Sequence, residues 1–171
     1  MKIHKEGYNI IAIAFIIASA VVLGGYYLLG WGLLAKVLAV IAVLVFAFVV
    51  RFFRVPKRNT VPGDNVVTSV ADGKVVIVEK VQEDEYIKGE CIQVSVYMDF
   101  FNVHVNYWPV SGDVTYYKYH PGKYMLAFLP KASELNVHSS VGIRSPYGDV
   151  FFKQLAGTFA RRIVTYATPG N

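Results

Sequence analysis

The chain has 171 residues, 54% of them hydrophobic, and carries 17 lysines and arginines against 12 aspartates and glutamates, a formal net charge of +5. That length holds one ordinary domain plus an appendage. Cys91 is the only cysteine, which excludes an intrachain disulfide and a cysteine-based metal site. An isolated strand cysteine of this kind reads as a small buried hydrophobe.

The mean hydropathy of +0.40 is high for a soluble protein, but the apolar residues are not evenly spread. From Tyr8 to Val50 the only charge is Lys36. A bilayer-spanning helix needs about 20 apolar residues, so this run accommodates two. Gly24-Gly25 and Gly30-Trp31-Gly32 punctuate it, and Tyr26, Tyr27 and Trp31 suit an interfacial belt. The pattern predicts a helical hairpin, Ile10 to about Leu29 and Leu33 to Val50. A turn starting at Gly24 would instead leave a first arm of only about 22 Å at helical rise, short enough for a re-entrant hairpin.

The run is too long for a cleaved signal peptide, and a second run follows at once. Lys2 and Lys5 precede it, and Arg51, Arg54, Lys57 and Arg58 follow it. Basic residues at both ends place both ends, and the domain that follows, on the cytoplasmic side of the cell membrane. The bases stop at Arg58 without an aromatic-basic repeat, so a nucleic-acid partner is not expected. Residues 1–58 are thus read as a membrane anchor and residues 59–171 as a β-rich domain.

Pro56 and Pro62-Gly63-Asp64 form a linker. Strand-like runs separated by turn signals come next. "NVVTSV" leads to the turn Ala71-Asp72-Gly73, then "KVVIVEKV", the polar "QEDEY", and "CIQVSVYM". "MDFFNVHVNYWPVSGDV" alternates like a strand around His104 and breaks at Pro109. "DVTYYKYH" ends at His120-Pro121-Gly122. "ASELNVHSSVGIRS" looks irregular, and "YGDVFFKQLAGTFARRIVTYA" starts as a strand, with "KQLAGTFARRI" open to either helix or strand. No long amphipathic helix stands out.

His4, His104, His120 and His138 are far apart, with no i,i+4 pair, so no metal site is expected. Asp72-Gly73 between valine-rich runs reads as a hairpin turn. By itself, His104 reads as a hydrogen-bonded core or rim histidine. Periodicity alone gives a membrane-anchored β domain.

Four patterns in order add to this: "SVADGKVV", "FNVHVNYWPVSG", "YKYHPGKYMLAFLPKASELN" and "QLAGTFARRIV". Together they closely resemble the short form of the phosphatidylserine decarboxylase family, over residues 60 to 168 and extending to the anchor. The resemblance implies a mostly β fold, a sandwich-like or barrel-like core of the lipoyl-hybrid kind, behind the transmembrane hairpin. It implies a pyruvoyl (pyruvate) cofactor, made by self-cleavage of a precursor at a Gly-Ser bond, with the serine becoming the pyruvoyl of a small α chain. Asp72 and His104 would activate that serine, by the logic of a base activating a nucleophile and a carboxylate orienting the base. His120, Lys123 and Asn136 would contact substrate. Decarboxylation of phosphatidylserine to phosphatidylethanolamine and CO₂ would run through a Schiff base on the pyruvoyl, with a nearby imidazole returning the proton. The partners implied are the pyruvoyl-bearing α chain and the membrane lipid, and a homodimer stays open.

Three positions depart from the family pattern. Val70 stands where the short form has proline, Phe101 where longer members carry a second histidine, and Val137 where an acidic residue usually follows the asparagine. The sequence contains no Gly-Ser pair, so the pyruvoyl serine is expected in a C-terminal α segment beyond these residues, and the chain as given is expected to be inert. Two other readings stay open: a non-catalytic membrane-anchored β module, with "ADGKV" as a plain tight turn, and a decarboxylase of an archaeal phosphoserine ether lipid.

Overall fold

The computed structural model describes residues 2–59, 66–126 and 135–170. The chain forms two compact units: Met1–Val61 with Met98–Asn106, and Pro62–Tyr97 with Tyr107–Asn171. The linker Pro62-Gly63-Asp64 and the "ASE" of "KASELN" lie outside the described residues.

In the first unit, α1 (Tyr8–Leu29) and α2 (Leu33–Phe52) are joined by Gly30-Trp31-Gly32. Their 22 and 20 residues give lengths of about 33 and 30 Å, and both helices are long and apolar enough to cross a membrane. Helix α1 runs straight through Gly24-Gly25, so the shorter first arm that would suit a re-entrant hairpin is not formed. Gly25 is instead a packing position: it and Ala35 are both buried, and a Cβ on Gly25 would lie 3.7 Å from Ala35. Small residues at this position let the two helix backbones approach closely. Gly30, at φ 61°, supplies the left-handed turn. At the opposite end, β1 (Lys2–Ile3) pairs antiparallel with β2 (Arg54–Val55), and the His4 N–H donates to the Phe53 carbonyl at 2.9 Å. The hairpin is closed where its two basic flanks meet.

The second unit is built of β-structure. Strands β3 (Lys74–Glu83) and β4 (Gly89–Tyr97) form an antiparallel ribbon with a bulge between Val75 and Ile77. "QEDEY" makes its turn, because the Glu83 carboxylate accepts the N–H groups of Glu85, Tyr86 and Ile87 at 2.8–2.9 Å. Strands β5 (Asp113–His120), β6 (His138–Ser145) and β7 (Gly148–Leu155) form an antiparallel sheet in the order β5-β6-β7. Val114 and Val141 form its core with Ala167, and Tyr117 and Phe152 pack against them.

Three sequence expectations are corrected here. "HSSVGIRS", read as irregular, is the central and most buried strand, β6. Its small residues are there because aromatics cover them: the Tyr86 ring lies where a Cβ on Gly142 would stand, 2.6 Å away. "NVVTSV", read as a strand, forms no strand over residues 66–69, and Asp72 lies in a bend and not in a hairpin turn. The stretch around His104 alternates like a strand yet forms none. Residues 156–170, after β7, have no helix or strand and return to the sheet, where the Gly170 N–H donates to Val114.

Candidate functional site

His104 belongs to the unit of the two helices. Its half-buried ring stacks on Phe52, with centroids 4.5 Å apart, at the last residue of α2. Neighbouring aromatics secure the same segment: Phe100 stacks on Phe48 at 4.8 Å and Phe101 meets Phe48 edge-on at 5.9 Å. Arg54 donates through one guanidinium nitrogen to the Arg51 carbonyl at 2.9 Å and through the other to the Phe101 carbonyl at 3.1 Å. A segment with no ladder of its own is thereby fixed by the end of an apolar helix.

The ring nitrogens of His104 have separate tasks. Nδ1 lies 3.1 Å from the Asn102 carbonyl oxygen. A carbonyl only accepts, so Nδ1 carries the hydrogen and the neutral ring keeps its lone pair on Nε2. Burial, the largest influence, holds the imidazole below its ordinary 6.5; the Asn102 bond opposes this, the Arg54 charge adds to it and Asp99 opposes it. His104 is therefore a neutral base at pH 7, with an oriented lone pair.

Asp72 belongs to the β unit. Its bend is laced to residues 107–109: the Thr68 N–H donates to Pro109 at 3.0 Å and the Tyr107 N–H to Val70 at 2.8 Å. Ser69 Oγ bonds the Ala71 carbonyl at 2.8 Å. A Cβ on Gly73 would run into the Tyr97 carbonyl, so the residue after Asp72 is glycine for want of space. In the chain, Tyr107 follows His104 by three residues.

His120, Lys123 and Asn136 meet at one end of the β5-β6-β7 sheet. His120 pairs with His138 in register, and the two rings stack at 4.2 Å. His138 Nδ1 donates to the Asn136 carbonyl at 2.8 Å. The backbones of Lys123 and Asn136 form a parallel bridge, and the Lys123 side chain is exposed. The Asn136 amide is buried and fully engaged, accepting from the Met125 N–H and donating to the carbonyls of Met125 and Ala156, each at 2.9 Å. It anchors the segment after His120-Pro121-Gly122.

Sequence reasoning missed Glu85. Its carboxylate accepts from His120 Nε2 at 2.7 Å, Lys153 Nζ at 2.8 Å and the Tyr116 hydroxyl at 3.1 Å. Burial pushes its pKa up, but the bonds from Lys153 and His120 prevail and hold it at about 2. Tyr86 beside it stacks on Phe151 and shares a 2.6 Å hydrogen bond with Thr115. The only sequence signal was a carboxylate in a polar turn.

The described residues thus comprise two long apolar helices, a β body and a neutral, oriented imidazole. Comparison with known proteins narrows this. The sequence profile of the phosphatidylserine decarboxylase family matches residues 45–171. Phosphatidylserine decarboxylase proenzyme of Parabacteroides distasonis is 41% identical over 172 residues, covering 99% of this chain and 78% of the relative. The proenzyme of Porphyromonas gingivalis is 37% identical over 174 residues, 100% of this chain and 79% of the relative. That of Bacteroides fragilis is 40% identical over 179 residues, 99% and 75%. The chain belongs to the phosphatidylserine decarboxylase family.

Proposed function

We propose that this chain is the larger part of a phosphatidylserine decarboxylase proenzyme, a carboxy-lyase that forms phosphatidylethanolamine and CO₂. The observation that carries the reading is the state of His104: neutral, tethered through Nδ1–H to Asn102, with its Nε2 lone pair available. Such a ring takes the hydroxyl proton of a serine during self-cleavage and afterwards returns a proton to substrate carbon. Asp72 serves the same cleavage step as the charged orienting group. In support, its loop is bonded to Tyr107–Pro109, the stretch that continues from His104 along the chain. Phe101 supplies no second imidazole, so the proton traffic falls to His104 or water.

The pyruvoyl group, formed from a serine in an α segment outside these residues, supplies the electron sink for departing CO₂. His120 and Lys123 serve as contacts to the serine head group; Lys123 is held through its backbone by Leu135 and Val137, and Asn136 supports the same segment through Met125. Helices α1 and α2 form a transmembrane hairpin, with the β domain on the cytoplasmic face. Both ends of the hairpin are basic and are tied together by β1 and β2. The apolar, exposed residues of the β3–β4 ribbon, Val75, Val76, Val78, Ile92 and Val94, support a larger sandwich-like layer of the lipoyl-hybrid kind.

The test uses a proenzyme in which this chain is extended by the C-terminal segment of a relative. His104→Ala should slow cleavage, and CO₂ release from any matured fraction, by at least about 10²-fold. Asp72→Asn should act mainly on cleavage. The acid limb of the wild-type cleavage rate should lie below pH 6.5, where the lowered His104 protonates. Normal processing and turnover in both variants would refute the assignment.

A further inference from the structure

Helix α2 carries a groove on one face, with a volume of about 380 Å³. Val43, Phe46, Ala47 and Val50 line it, and Arg51 and Arg54 close one end. Val43 to Arg51 fall at i, i+3, i+4, i+7 and i+8, a single helical stripe, and Arg54 joins them from β2, just past the end of the helix. From Val43 to Arg51 it extends about 12 Å. An apolar trough ending in two cations has the polarity of a phospholipid. Among the described residues no carboxylate lies within ion-pair distance of either guanidinium. The side-chain bonds of Arg54 go to the carbonyls of Arg51 and Phe101, which orient its charge without neutralising it.

We infer that this groove is the site where one diacyl phospholipid is held for the enzyme, its acyl chain along Val43–Val50 and its phosphodiester on Arg51 and Arg54. The inference rests on the decarboxylase reading and adds a lipid-presenting site to it. The occupant follows from charge complementarity and from the lining: a free phosphate has no use for the apolar trough, and a neutral lipid none for the arginines. The same guanidinium that meets the phosphate holds the Phe101 carbonyl, three residues before His104. Phe52, next to Arg51, stacks on the His104 ring. A head group beyond the phosphate is thus directed to the segment that carries the imidazole.

The full 171-residue chain, purified in detergent, is offered equimolar dioleoyl phosphatidylserine and dioleoylglycerol, and retained lipid is counted by native mass spectrometry. The wild type should keep one phosphatidylserine per chain and little dioleoylglycerol. Arg51→Gln, whose side chain lies outside the Arg54 bonds, should weaken retention about fivefold, and Arg51→Gln with Arg54→Gln about thirtyfold. Ala47→Trp should fill the trough and abolish retention with both arginines in place. Lys57→Gln, a basic residue outside the groove, should change nothing. Equal retention of the two lipids, or a loss with Lys57→Gln matching that of the arginine variants, would overturn the site and leave only general attraction to an anionic surface. Retention is read without turnover, so a negative result bears on the groove and leaves the decarboxylase reading to the cleavage test.

Discussion

Glu85→Gln tests how the β3–β4 turn is fastened to the three-stranded sheet. The carboxylate takes bonds from His120, Lys153 and Tyr116, and its pKa falls from 4.5 to about 2. At 1.36 kcal/mol per pKa unit this corresponds to about 3 kcal/mol of stability. The Lys153 side chain is 36% exposed, so water screens part of the interaction, and the expected loss in the variant is about 2 kcal/mol. Because the folded pKa is depressed, the stabilisation is nearly complete above pH 4.5 and drains away as pH falls through 2, with about 40% of it left at pH 3. Urea unfolding of both proteins in detergent, followed by tryptophan fluorescence, measures this. At pH 7 the midpoint of the variant should fall by roughly 1 M. At pH 3 the gap should shrink to about 0.4 M, and the two midpoints should nearly coincide only near pH 2. Equal midpoints at pH 7, or a gap that persists undiminished at pH 3, would refute the ionic account of the fastening.

Protease added outside intact spheroplasts should leave the β domain whole, since basic residues flank both ends of the hairpin; external digestion after Arg58 would reverse the topology. The 171-residue chain alone should show no carbonyl reactive with hydrazines and release no CO₂ from phosphatidylserine, because no serine in it follows a glycine. Asn136→Ala should lower stability by about 2–4 kcal/mol, as it strands the Met125 N–H and the carbonyls of Met125 and Ala156. Thermal unfolding that stays unchanged in that variant would count against the amide anchor.

Helices α1 and α2 were legible in the sequence to within about two residues, because two long apolar runs separated by Gly30-Trp31-Gly32 are a local property of the chain. Strands β3, β4, β5 and β7 were legible as well, since β-branched and aromatic residues between turn signals are a local property. So was the family, carried by four ordered motifs. Strand β6 was not legible. Its serines and glycine are poor strand formers, and they become a buried central strand only because β5 and β7 pair on both edges and Tyr86 covers Gly142. His104 was misplaced on a strand for the converse reason: alternation was present, but no partner strand was, and the segment is held by aromatic stacking and Arg54 instead. The Glu85 cluster gathers residues 31 to 68 positions apart, which no local pattern encodes. Residue chemistry and period are written along the chain, and they determined the helices, four strands and the candidate groups. Which nitrogen of His104 keeps its lone pair, and that Glu85 stays ionised, depended on neighbours that only the fold brings within hydrogen-bond reach.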